Sequence, residues 1–182
     1  MSTKNIQDFK PTKQHKFIID TNVLIKLLYP AMSSKNTIPY ENLYQSIIKS
    51  KAEIIISSIQ ISEFVNRCIR FQFNLWAEDN ISSLDFKSDF RETCDYRESM
   101  QAILEIIKTD ILSVSSCIDD GFSEMNPETI YQFGFSYDFN DSLIAEIARL
   151  NDAILVTDDK DFANYSKDIK IVTANKGLLM FH

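Results

Sequence analysis

Histidine is scarce in this 182-residue chain: there are two, His15 and His182, and both lie near its ends. Serine or cysteine nucleophiles activated by histidine, and zinc sites built on imidazole, are therefore not expected. Glycine is nearly as rare, with Gly121, Gly134 and Gly177 alone, so no P-loop and no GxGxxG phosphate cradle can be assembled. The three cysteines, Cys68, Cys94 and Cys117, are odd in number and lack CxxC spacing. They read as reduced core thiols of a cytoplasmic protein. No apolar run approaches the roughly 20 residues that span a bilayer. The first sixteen residues are polar and basic with no apolar h-region, so they are not expected to act as a secretory signal. Chemistry that survives these exclusions rests on carboxylates, hydroxyls and amides.

Acids are what the chain has in excess. The formal charge is −7, with hydrophobic residues at 45% and charged residues at 25%, ordinary for a globular domain. Net negative charge alone argues against nucleic acid as a partner. The charge is uneven, however. Residues 138–161 carry seven acids against Arg149 and Lys160, while residues 1–16 carry four lysines against Asp8. Such an acidic run is either a solvated face or a cage whose charge bound cations cancel.

The pattern of elements decides where those acids fall. Residues 17–19 are a compact apolar run that ends at Asp20, and Val23, Leu24, Leu27 and Leu28 follow at helical spacing. Further strands are expected at 53–57, 111–117, 153–157 and 169–173, with helices at 40–50, 59–76, 89–109 and 140–150. A loop is expected at 30–39, a polar link at 77–88 and a short helix opened by Pro127 at Glu128. This alternation predicts an α/β fold of three layers, α/β/α, with a mainly parallel central sheet of four to five strands. Residues 1–15 read as a flexible tail and 16–182 as one domain.

Four stretches carry candidate chemistry at strand ends or first helical turns. Asp20, followed by Asn22, fits a helix N-cap as well as a ligand. Glu63 follows the second strand by about one and a half helical turns and fits a surface pair with Arg67. Asp141 opens a later helix, where Asp138 is an alternative cap or a further acid. Thr157-Asp158-Asp159-Lys160-Asp161 follows the 153–157 strand and holds more acids than a turn needs; Phe162 should anchor it beneath the sheet. Taken singly, capping and solvation explain each. Together they place acids at one edge of a parallel sheet, where α/β folds bind ligands. Oxygen-only ligands suit Mg²⁺ or Mn²⁺, and a shared cation relieves the repulsion of clustered carboxylates.

The stretches FIIDTNVLI, IIISSIQISEF, DFNDSLIAEIA and ILVTDDKDF, in this order, resemble the PIN-domain nucleases, the family that includes the VapC-type toxins. The resemblance implies a PIN-like fold and a metal-dependent endoribonuclease that hydrolyses phosphodiester bonds of RNA. It matches Asp20, Glu63, Asp141 and Asp159 to the family's catalytic metal-binding acids, with Asp161 as a further candidate ligand. Asn22, Thr157 and Asp138 would support them. Mg²⁺ or Mn²⁺ is the implied cofactor, and RNA, an antitoxin protein and a second copy of the chain are the implied partners. The region around 75–135 is longer and more acidic than in compact VapC-like members and is expected to form an enlarged helical part. The competing reading is an inactive PIN-like domain that binds RNA or protein without cutting; such members should lack one or more of the four acids. A phosphatase or receiver-type domain ranks behind both, because Lys160 and Lys176 are badly placed for its lysine.

Overall fold

A computed structural model of the protein describes residues 3–32, 37–78, 84–126, 128, 138–165 and 169–180. Six strands form one parallel sheet: β1 (Thr3–Asn5), β2 (Lys16–Ile19), β3 (Glu53–Ser57), β4 (Ser116–Ile118), β5 (Ile154–Val156) and β6 (Lys170–Thr173). Their spatial order is β1-β6-β5-β2-β3-β4. All five pairings are parallel.

The apolar runs at 17–19, 54–56 and 154–156 are strands because a parallel sheet is covered on both faces and needs no polar side. Alternate residues supply the two cores. Phe17, Ile19, Ile54, Ile56, Ile154 and Val156 pack on one face. That face is covered by α1 (Thr21–Leu28), α2 (Ile38–Ser50), α3 (Ser58–Glu78) and α4 (Cys94–Ile106). Ile18, Ile55, Leu155 and Ile171 point the other way. They meet α5 (Phe139–Leu150), a 3-10 turn at Lys160–Tyr165 and α6 (Lys176–Leu179). Each buried isoleucine contributes about 1.5–3 kcal/mol relative to an exposed one. Phe162 is fully buried under the sheet, as the sequence leads one to expect.

Several expectations need correction. The supposed tail is not loose throughout: residues 3–5 form the sixth strand, in register with 171–173 of β6. The polar triplet Thr3-Lys4-Asn5 carries no strand pattern of its own; the open edge of β6 orders it through backbone hydrogen bonds. The sheet accordingly has six strands rather than four to five. The helix expected at 89–109 starts only at Cys94, because Thr93 Oγ1 caps it, accepting from the Tyr96 amide at 3.1 Å. One-turn π segments at Phe86–Phe90 and Ile107–Ile111 flank it. They turn Phe86, Phe90, Ile107 and Ile111 inward. The strand expected at 111–117 shrinks to Ser116–Ile118 at the sheet edge. Of the cysteines only Cys68 is buried; Cys94 and Cys117 are exposed. Glu128 is helical, but Pro127 and the rest of that expected helix lie outside the described residues.

The enlarged helical region brings an aromatic core of its own. Phe73, Trp76, Phe86, Phe90 and Tyr96 pack ring to ring at 5.3–6.4 Å between centroids. Arg70 and Arg91 lie over the Phe86 ring, at 4.5 and 5.2 Å. No helix among the described residues is long and apolar enough to cross a membrane.

Candidate functional site

The chain leaves β2 toward β3 on one side and returns through β5 on the other, so the strand order reverses at β2. Above such a switch point the connections diverge and leave a crevice at the carboxyl ends of the strands. Asp20 follows β2 and Thr157 follows β5, at that crevice. The two strand ends are tied by the Asp20 amide, which donates to the Val156 carbonyl at 2.9 Å.

Asp20 occupies the N-cap position of α1, yet its side chain makes no capping hydrogen bond. Its Oδ2 instead accepts from Thr157 Oγ1 at 2.6 Å. The carboxylate is only 4% exposed. Burial pushes its pKa from 3.8 up to about 7; the Thr157 bond opposes the rise, while the charges of Glu63 and Asp159 add to it. Thr157 Oγ1 also accepts from the Asp159 amide at 3.0 Å, which fixes the turn that presents Asp159.

Asp141 shows which of two nearby acids is the cap. Asp138 caps α5, its Oδ1 accepting from the Asn140 amide at 2.8 Å. Asp141 is left in the first turn, free of that duty. Burial first, then the charges of Asp20, Asp159, Asp138 and Glu63, raise its pKa from 3.8 to about 8. The electrostatics of Asp20 and Asp141 thus bring together all four acids that the sequence motifs single out. They arrive from different places: the end of β2, the second turn of α3, the first turn of α5 and the turn after β5.

Glu63 does pair with Arg67, at 3.3 Å. Asp159 Oδ1 accepts from the Asp161 amide at 3.0 Å. With the side chains so engaged, no three His, Cys, Asp or Glu residues among those described close into a metal-holding group. The donor set nevertheless fits a hard divalent cation. The groups are carboxylates whose burial is costly without a positive partner. Beside them, Asn22 Oδ1 is buried with no hydrogen-bond partner among the described residues.

The three aspartates after β5 separate by role. Asp158 turns away from the other acids and pairs with Lys26. It also accepts from the Tyr40 hydroxyl at 2.8 Å. Asp159 is the one whose charge acts on Asp20 and Asp141. Asp161 is exposed and reaches Asp159 through its backbone amide. The remaining acids of the run are also accounted for, Glu146 by Arg149 and Asp152 by Lys170.

Sequence reasoning missed two buried polar supports. Gln60 is fully buried. Its Nε2 donates to the Ile19 carbonyl at 2.7 Å, and its Oε1 accepts from the Ser57 amide at 3.2 Å. It thereby clamps the ends of β2 and β3 next to Asp20. Its place one turn before Phe64 and two before Cys68, on the buried stripe, was the available signal. Tyr40, also buried, donates to Asp158 and accepts from the Ala174 amide at 3.0 Å, joining α2, β5 and β6.

Comparison with known proteins bears on the fold and the family. A solved structure of VapBC2 from Rickettsia felis, bound to a DNA fragment from its promoter, is similar with 21% identity and a TM-score of 0.51. The match covers 87% of this chain and 98% of that one, and supports the fold. PAE2754 from Pyrobaculum aerophilum matches at 16% identity and a TM-score of 0.44, over 92% and 95% of the two chains. No curated protein sequence gives a significant match. The PIN-domain family model matches residues 17–168, from the first core strand through the turn after β5. PIN domains are generally nucleases that work with divalent metal ions. By that match the chain belongs to the PIN-domain family.

Proposed function

We propose that the protein is a metal-dependent endoribonuclease acting as the toxin of a toxin–antitoxin pair. One observation carries the catalytic part. Asp20 and Asp141, at the switch point of the sheet, hold their protons more tightly than usual, chiefly through burial and further through the charges of Glu63 and Asp159. Buried carboxylates such as Asp20, with no ion pair of their own among the described residues, destabilise the fold, which is a reason to expect a cation among the acids.

In this reading Asp20, Glu63, Asp141 and Asp159 hold one or two Mg²⁺ or Mn²⁺ ions, with Asp161 at the rim. When bound, the cation activates water and neutralises charge on the phosphodiester. Thr157 holds Asp20 by its Oδ2 and so would orient the carboxylate as a ligand. Asn22 Oδ1 would accept a hydrogen bond from water in the crevice. Asp138 keeps the first turn of α5 in place so that Asp141 faces the other acids. Glu63, which pairs with Arg67, would have to give up that pair to serve as a ligand. A cation held by these residues would favour the ionised forms of Asp20 and Asp141, whose pKa values are raised without one.

The toxin assignment, with an antitoxin and a second copy as partners and the cytoplasm as its place of action, rests on the family and on the VapBC2 neighbour. Cleavage of single-stranded RNA with Mg²⁺ or Mn²⁺ is the deciding experiment. Wild type should cut and Asp20→Asn should not. Equal cleavage by both removes the assignment. Tight RNA binding without cleavage by wild type would favour the non-cutting PIN-like reading.

A further inference from the structure

One concavity among the described residues lies away from the acids, at the amino ends of the central strands. It has a volume of about 480 Å³. Lys16 opens β2, Ile154 opens β5 and Lys170 opens β6, so the cavity sits under the opposite edge of the sheet from Asp20. Residues 6–15 cross from β1 to β2 and supply its roof, including Phe9, Gln14 and His15. Ile154 and Val172, on the same sheet face, supply its apolar floor.

Its charge is opposite to that of the molecule. Lys4, Lys16 and Lys170 line it against one carboxylate, Asp152. Lys170 is engaged by Asp152 at 2.8 Å, and Lys16 leans on exposed Glu53 at 3.4 Å. Lys4 has no acidic partner among the described residues and rests 5.9 Å from the centre of the Phe9 ring. Phe9 and His15 pack with centroids 5.3 Å apart. His15 Nδ1 accepts from the Thr12 amide at 3.1 Å, so in the neutral ring the proton sits on Nε2, a donor. Gln14 and Asn151 add side-chain amides, which both donate and accept.

We infer that this cavity binds a nucleotide, its phosphate held by the lysines and its base by the aromatic wall and the amides. The volume falls within the roughly 300–1,000 Å³ typical of small-molecule sites. Ammonium groups suit a phosphate as mobile point charges. Phe9 and His15 offer edges and faces to a flat base, and the two amides can read its hydrogen-bonding edge. An acidic peptide would use the lysines but not the aromatic and amide wall. The nucleotide is either free or one unit of a single RNA strand. The site is remote from the acids, so it stands independently of the nuclease reading.

The test is a titration of the full chain, isotope-labelled and in EDTA so that no cleavage intervenes, followed by amide NMR shifts. The ligands are adenosine monophosphate, a short oligoadenylate, inorganic phosphate and oligoglutamate. Saturable shifts at Gln14, His15, Lys16, Asp152 and Lys170 with adenosine monophosphate establish a free-nucleotide site. The same shifts with the oligoadenylate alone establish a strand site. The double variant Lys4→Gln, Lys170→Gln should weaken either by about tenfold or more while the rest of the spectrum holds. Three outcomes overturn the inference: no saturation with either nucleotide ligand to about 10 mM, equal affinity for inorganic phosphate or oligoglutamate, or undiminished binding by the double variant. None of these bears on RNA cleavage at the acids, which the Asp20→Asn comparison decides separately.

Discussion

A carboxylate with almost no exposed surface needs a positive partner or a proton, and Asp20 has neither a lysine nor an arginine against it. Its ordinary pKa is 3.8, and in the fold it rises to about 7. Between those values the folded state binds more protons than the unfolded one, so stability from this group falls as pH rises from about 4 to 7. Asp141, raised to about 8, acts in the same direction. Metal-free protein should therefore lose melting temperature across that window. Asp20→Asn should flatten the fall and Mg²⁺ or Mn²⁺ should offset it above pH 7; paired melts of the two proteins with and without metal measure this. The same substitution should lower RNA cleavage by more than the roughly 10–100-fold typical of changes outside the ligand shell. Thr157→Val tests the support rather than the ligand. It removes the donor to Asp20 and orphans the Asp159 amide, so metal affinity should drop by about 10–100-fold, read by titrating Mn²⁺ into both proteins.

At the scale of elements, Gln60 joins two strand ends whose carbonyl and amide would otherwise be buried without partners. Gln60→Leu fills the space but leaves those groups unpaired, and should cost about 1–3 kcal/mol per orphaned group. Chemical denaturation gives that number, and cleavage should weaken along with stability because Asp20 directly follows Ile19. The central strands were legible in the sequence for physical reasons. Strands buried on both faces announce themselves as short apolar runs, and Asp20 directly follows one of them and Asp158, after Thr157, another; Glu63 and Asp141, inside helices, stood out only by the resemblance. What was not legible depended on contacts between distant elements. Asp138 and Asp141 both satisfy a capping pattern, and only the built helix shows that Asp138 takes the bond. Asp158 and Asp159 are neighbours with identical side chains; Lys26 and Tyr40, more than a hundred residues earlier, separate them. The break in the 89–109 helix follows from a threonine cap and two π turns that leave no mark in hydrophobic periodicity.

For the whole molecule, charge is sorted along the strand direction. Acids gather above the carboxyl ends of β2 and β5, and lysines collect beneath the amino ends. A dipolar arrangement of this kind allows an acidic protein to present one face that attracts anions, a property that net charge conceals. The edge strand β1 bears on the whole fold as well. Thr3 and Ile6 are buried, and β1 covers the open side of β6. Removing residues 1–6 should lower the melting temperature and expose β6 to pairing with other chains. Size-exclusion chromatography and thermal melts of the shortened protein would show both effects, and unchanged values would mean that β1 contributes little.

The order of strands also has a consequence for biosynthesis. A ribosome releases residues 3–5 early, but their partners at 171–173 are the last of the sheet to emerge. The crevice has a similar schedule: Asp20 leaves long before Thr157, which holds it, and Asp159, which shares its field. Contacts of such long sequence separation form slowly and late. A nascent chain therefore carries its acids apart until translation of the domain is almost finished. Under the proposed function, that delay would protect the messages of the cell that makes the protein, a safeguard written into topology.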